Sequence, residues 1–314
     1  MPVGDTRVSS DEPLAQRLRA ALYRARSLAE TIFLQAAERT DQSQGPPETN
    51  LSLLAEAGLL GLTTPTQWGG LGGDGCALRE YTEVMASACG VTTFVAGQHL
   101  SACAQIAASE NSSLQERMLP ALGRGEWLCG VAFSHLRRPG APLMSVENLG
   151  SRWLFSGVAP WFTGWPLMTH CLLAGTLPDD HFVFAVVPLR NNDEIAASAP
   201  MRLCAMNASG TVSLTVSKCY VPKEDTVKVI SRRELEEADR NAILGVTPQP
   251  LGATAGALRV LRQEGERSSD SVIREAVEVF QERADLLRDE VDRWIRETHH
   301  PDYLANALRI RAEC

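Results

Sequence analysis

Apolar residues recur every three or four positions at Leu14, Leu18, Leu22, Ala25, Ala29, Ile32 and Ala36, which predicts one face of a helix. A polar break covers Asp41 to Pro47, and Asn50 is expected to cap a short helix that runs through Ala57 and ends at Gly58. Gly69, Gly70, Gly72 and Gly73 predict a loop, with another helix starting near Ala77. No charge interrupts Val84 to Ser109. That stretch contains Ser87, Thr92, Thr93, Gln98, His99, Ser101 and Gln105, too polar for a membrane span, so a helix buried on all sides within the protein is expected. Asn111, Ser112 and Ser113 mark the start of a further helix toward Pro120.

Near Trp127 the period shifts to two. Leu128, Val131 and Phe133 fall in one strand candidate and Trp153 to Ala159 in a second. Cys171–Leu177 and His181–Val187 flank Pro178-Asp179-Asp180, the signature of a hairpin. Thr211–Tyr220 alternates, with Val212, Leu214 and Val216 on one face. From about Glu234 the helical period returns, and Ile273, Val277, Phe280, Ala284, Leu287, Val291 and Trp294 make a packing seam along a helix Ser271–Arg296. The predicted architecture is α+β: an N-terminal helical domain (1–125), a middle antiparallel β-domain (126–230) and an incomplete C-terminal helical bundle (231–314). Burying such a seam demands partner helices, from the middle of the same chain, from a second subunit or from the rest of a longer protein, and a homo-oligomer is expected.

Composition narrows the function. With 30 Lys plus Arg against 38 Asp plus Glu, the formal charge of −8 opposes a phosphate backbone, and nucleic acid is excluded as a partner. Asp5, Asp11, Glu12 and Arg17 stand where an export signal needs an apolar core. The eight cysteines include no CxxC and the six histidines no HExxH. Buried thiols, a reducing cytoplasmic compartment and no metal site are the expectation.

In order along the chain, "LAEAGLLGLTTPTQWGGLGG", "ACGVTTFVAGQHLSACAQI", "QERMLPALGRGEW" and "LCAMNASGTVSLTVSKCYVPKE" resemble segments of the acyl-CoA dehydrogenase family of flavoproteins. The resemblance spans roughly Leu14 to Gly256. It implies an FAD held between the β-domain and the helices, and an acyl thioester of CoA or a carrier protein as substrate. In "APWFTGW", Trp161 and Thr163 match the family's Trp-x-Thr step against the isoalloxazine ring. An indole can cover a flavin face, and a hydroxyl two residues further along a strand is expected on the same side. In "GVAFSHLRRPGAP", Ser134 matches the threonine of the family's Thr-Glu-Pro motif, on a neighbouring strand. His135 and Leu136 replace Glu and Pro, no Gly-Ser-Asp follows, and Arg137 and Arg138 stand there instead, either in a solvated turn or facing a phosphate or carboxylate.

The family's late catalytic glutamate follows two long helices, whereas the pattern here predicts one, and no matching glutamate is found. Some relatives carry the base on the first helix after the β-domain, where Asp239 lies among Glu234, Glu236 and Glu237. A charge cluster of that kind more often makes a solvated face. The resemblance therefore implies α,β-dehydrogenation with FAD as hydride acceptor. A flavin-dependent monooxygenase on the same fold, or a non-catalytic subunit that has lost the base, stands beside it.

Overall fold

The computed structural model describes residues 13–189 and 193–314. Asp5, Asp11 and Glu12, which carry the argument against an export signal, lie outside them. Six N-terminal helices are α1 (Leu14–Leu28), α2 (Leu34–Asp41), α3 (Glu48–Glu56), α4 (Gly75–Ala86), α5 (Gly90–Ala107) and α6 (Ser112–Gly123). A π-turn, Ala29–Phe33, joins α1 to α2. Its extra residue rotates the buried stripe, so Ala21, Ala25, Ala29 and Phe33 point inward and Ile32 outward, correcting the simple 3.6 period.

Asp74 and Asn111 cap α4 and α6, accepting from the Ala77 and Leu114 N–H groups. Asn50 does not cap α3. It lies inside that helix, buried, and donates to Thr92 Oγ1 of α5 at 2.7 Å. As expected, α5 is enclosed, with no residue exposed along its length.

Eight strands follow among the described residues: β1 (Cys129–Ala132), β2 (Met144–Asn148), β3 (Arg152–Phe162), β4 (His170–Thr176), β5 (His181–Pro188), β6 (Ile195–Ala197), β7 (Val212–Pro222) and β8 (Thr226–Ser231). Their order is β6-β7-β3-β2-β4-β5-β8, with β1 also on β4. The expected β4–β5 hairpin is present, Cys171 opposite Val187 and Thr176 opposite Phe182. The expectation of a purely antiparallel domain is corrected. Both β1 and the start of β2 run parallel to β4, at Cys129–Ala132 and at Ser145, because the β2–β3 excursion returns the chain beside β1 in the same direction. Leu173, Val183, Ala185 and Val187 pack into one core, and Leu172, Ala174, Phe182, Phe184 and Val186 into another, so both faces of β4 and β5 are covered.

Four helices close the chain: α7 (Arg232–Asn241), α8 (Pro248–Ser268), α9 (Ser271–Trp294) and α10 (Tyr303–Glu313). Two long helices therefore follow the sheet, where one was expected. Proline and glycine obscure α8 in the sequence, and the glycines have a packing reason. A Cβ on Gly252 would lie 2.4 Å from the Glu83 carbonyl oxygen of α4, and one on Gly256 2.8 Å from that of Ser87. Ion pairs fasten α9 to the same helix: Arg288 Nε meets Glu83 Oε1 at 2.7 Å and Asp292 pairs with Arg79, whose Nη1 also meets Glu83 Oε2 at 2.7 Å within α4.

The α9 seam is realised in part. Val277, Ala284, Leu287, Val291 and Trp294 are buried, the last three against Tyr303, Ala307 and Ile310 of α10, whereas Phe280 is 55% exposed. No helix among the described residues is long and apolar enough to cross a membrane. All eight cysteines are free; Cys204 is exposed and Cys76 and Cys314 half-buried, which corrects the expectation that every thiol is interior.

Candidate functional site

Two segments of the sheet carry the residues that the sequence nominates. The first follows β1. Its backbone leaves the strand at Phe133 (φ −142°, ψ 5°) and winds into a 3-10 turn, Ser134–Arg137. Pro139 ends the turn, since the residue before a proline is driven into extended geometry, as Arg138 is (φ −77°, ψ 136°). Ser134 therefore starts a turn and is exposed, rather than lying on a strand as expected.

His135, 5% exposed, fills a gap along β4. Between the stretch of β4 paired with β1 and the point paired with β2, the Ala174 carbonyl is reached by His135 Nε2 at 2.9 Å. A carbonyl only accepts, so Nε2 carries the proton and Nδ1 is left as an acceptor, buried and without a protein partner. Burial lowers the His135 pKa, the Ala174 bond opposes this, and Arg137 and Arg138 add to the lowering. The ring is neutral.

The second segment is the end of β3. Trp161, the indole expected to cover a flavin face, is 45% exposed. Thr163 is not beside it. It is buried past the end of the strand, its Oγ1 2.9 Å from Thr211 Oγ1, which is itself 2.8 Å from Ser209 Oγ. The reason is a register shift between Ala159 and Phe162, where β3 advances three residues while β7 advances two, from Leu214 to Val212. That irregularity breaks the alternation which would have placed Thr163 on the side of Trp161. The two segments meet at Gly130 of β1, where a Cβ would lie 2.6 Å from the Phe162 ring, and the 134–137 turn packs against β3.

Electrostatics around the turn involve α7. Arg137 forms a two-pronged pair with Asp239, Nε to Oδ2 at 2.7 Å and Nη2 to Oδ1 at 2.5 Å. The carboxylate option for Arg137 is thus realised within the chain, and Asp239 is neither a free base nor merely part of a solvated face. Sequence reasoning missed this pair and the enclosure of His135. The Pro139 that shapes the turn was the available signal.

Behind the turn, His99 of α5 fixes the start of β1. Its Nδ1 accepts from the Cys129 N–H at 3.2 Å, so Nε2 is protonated and donates to the Leu122 carbonyl at 3.2 Å. Burial pushes its pKa down to about 4, against two backbone bonds that raise it.

Residues 16–126 match the family model described as Acyl-CoA dehydrogenase, N-terminal domain. The chain is 25% identical over 251 residues to 3-sulfinopropanoyl-CoA desulfinase of Variovorax paradoxus, an alignment covering 76% of this chain and 61% of that protein. Its fold is similar to that of butyryl-CoA dehydrogenase from Megasphaera elsdenii, with TM-score 0.81, 15% identity and 96% and 86% of the two chains covered. It is also similar to dibenzothiophene monooxygenase from Paenibacillus sp. A11-2, with TM-score 0.79, 16% identity and 94% and 82% covered. The matched N-terminal segment, joined to a mixed sheet and C-terminal helices in this order, gives the chain an acyl-CoA dehydrogenase-like fold.

Proposed function

We propose that the chain binds FAD and is an oxidoreductase of acyl-CoA dehydrogenase type, acting on an acyl thioester of CoA or a carrier protein. The observation that carries this is the pair of exposed side chains on touching segments, Trp161 at the end of β3 and Ser134 at the turn after β1. These residues fit a flavin: the indole offers an apolar face, and the Ser134 hydroxyl both donates and accepts. The orphaned Nδ1 of neutral His135 adds a buried acceptor beside Ser134. Thr163 would take part through its backbone or by releasing Thr211. When bound, FAD supplies a hydride acceptor. What this chain contributes is an apolar cover, hydroxyl contacts and shielding from water.

In a dehydrogenation the α-proton of the thioester must pass to a base. Asp239 stands on the first helix after the sheet, and Arg137 engages both of its oxygens. That pairing occupies both oxygens a base would use and favours a second reading, a flavin-dependent monooxygenase on the same fold, which needs no carboxylate base. The fold likeness to dibenzothiophene monooxygenase is in keeping with it. We place the protein in the cytoplasm as a homo-oligomer. Exposed Val260, Val272, Val279, Phe280 and Leu286 on α8 and α9 support a helix-to-helix contact between copies.

The test is the visible spectrum of the purified protein with and without added FAD. Absorbance at about 450 nm that persists through gel filtration is expected of a bound oxidised flavin. A colourless protein that takes up none favours a non-catalytic subunit. Turnover of acyl-CoA with an artificial electron acceptor then separates dehydrogenation from oxygen-dependent chemistry.

A further inference from the structure

The turn after β1 is crowded with cations. Arg137 stands over the Phe133 ring at 5.6 Å, and Lys228 Nζ of β8 lies 4.7 Å from the centroid of Phe184. The two rings are themselves 5.6 Å apart, so they form one aromatic floor beneath both cations. Arg138 adds a third positive charge, while Asp239 supplies the negative charge that meets Arg137. The Lys228 pKa is lowered, first by burial and then by the charge of Arg137, and Asp239 only partly offsets this. Two features set this pair apart from Arg124–Glu126 and Arg232–Asp180. It has a cation in excess close by, and it sits one 3-10 turn, about 6 Å, from Ser134.

A guanidinium fork filled by a carboxylate at 2.7 and 2.5 Å displays what it is shaped to hold. Both partners are reachable from solvent, Arg137 at 42% and Asp239 at 35% side-chain exposure, so the internal carboxylate can be exchanged. We infer that Arg137, supported by Lys228, is the recognition site for a carboxylate at the far end of the substrate's acyl chain, and that Asp239 occupies the fork until that carboxylate replaces it. The exchange would release the Asp239 carboxylate beside the turn. Arg137 then acts as a specificity-determining residue, selecting acyl thioesters with an anionic terminus over neutral ones. The inference rests on the proposed function for the thioester and for the place of Ser134 beside the flavin.

The test compares binding of succinyl-CoA and butanoyl-CoA to the purified protein by calorimetry. The two share CoA and a four-carbon chain and differ in the terminal carboxylate. Succinyl-CoA is expected to bind about tenfold more tightly, a preference that Arg137→Gln erases and Asp239→Asn enlarges. Lys228→Gln, which leaves the ion pair intact, should reduce the preference by about threefold and serves if Arg137→Gln does not fold. Equal affinity for the two thioesters in the wild type and in Asp239→Asn overturns the inference, as does a preference untouched by Arg137→Gln. If neither thioester binds, the thioester reading fails and sodium succinate becomes the probe. Succinate binding that Arg137→Gln abolishes then upholds the anion site, and no binding overturns it. None of these readings depends on flavin, whose presence the visible spectrum reports separately.

Discussion

His99 gives the most quantitative prediction, because it is wholly enclosed and its tautomer is fixed by a donor on one nitrogen and an acceptor on the other. Burial holds its pKa at about 4, against 6.5 for a free imidazole. Above the free value the ring is neutral in both folded and unfolded chains, and the site adds no pH dependence. As pH falls below that value the unfolded chain gains a proton that the folded chain refuses, so stability drops by about 1.4 kcal/mol per pH unit until the folded pKa is reached. The full loss is about 3 kcal/mol, of which about 2 kcal/mol should appear between roughly pH 7 and pH 5.

The perturbation is His99→Gln, whose amide offers one acceptor and a donor but does not titrate. Urea unfolding of both proteins at each pH isolates the effect, since the acid response of every other group is common to both. Wild type should lose about 2 kcal/mol more than the variant on acidification. Equal losses would refute the assignment of a neutral, non-titrating His99 to the joint between α5, α6 and β1.

Four further outcomes are expected. Trp161→Ala should weaken FAD retention in gel filtration while shifting the apo-protein melting temperature little, because the indole is half out of the fold. Gly252→Ala forces a Cβ to within 2.4 Å of the Glu83 carbonyl, so it should cost about 1–3 kcal/mol in denaturant unfolding despite the better helix propensity of alanine. Arg79→Ala leaves the buried Glu83 short of a partner and should destabilise by about 3 kcal/mol in the same assay, whereas Arg124→Ala, at an exposed pair, should leave the transition in place. Phe280→Glu should shift sedimentation toward a smaller species than the wild type if α9 joins two copies, and identical sedimentation of the two proteins would exclude that face.

The elements legible in the sequence are those whose signals are local. Asp74 was not anticipated as a cap, but Asn111, the enclosed α5 and the β4–β5 hairpin all follow from spacing over a few residues, because capping, periodicity and turn chemistry act at that range. The order of helices, sheet and helices, and with it the resemblance to a family, is also carried by the linear pattern. Other features were decided by packing between distant segments. Helix α8 exists despite Pro250, Gly252 and Gly256 because α4 needs a bare helical face to lie against, and local propensity yields to that burial. Thr163 turned away from Trp161 because the β3–β7 register shifts by one residue, which alternation within one strand cannot foretell. Parallel pairing of β1 with β4 depends on how the chain returns after the β2–β3 excursion. Above all, Arg137 and Asp239 are 102 residues apart, and each alone looks like a solvated charge. Only the docking of α7 beside the turn after β1 brings guanidinium and carboxylate within hydrogen-bonding distance, because a charge pair is defined by separation in space and the sequence records separation along the chain.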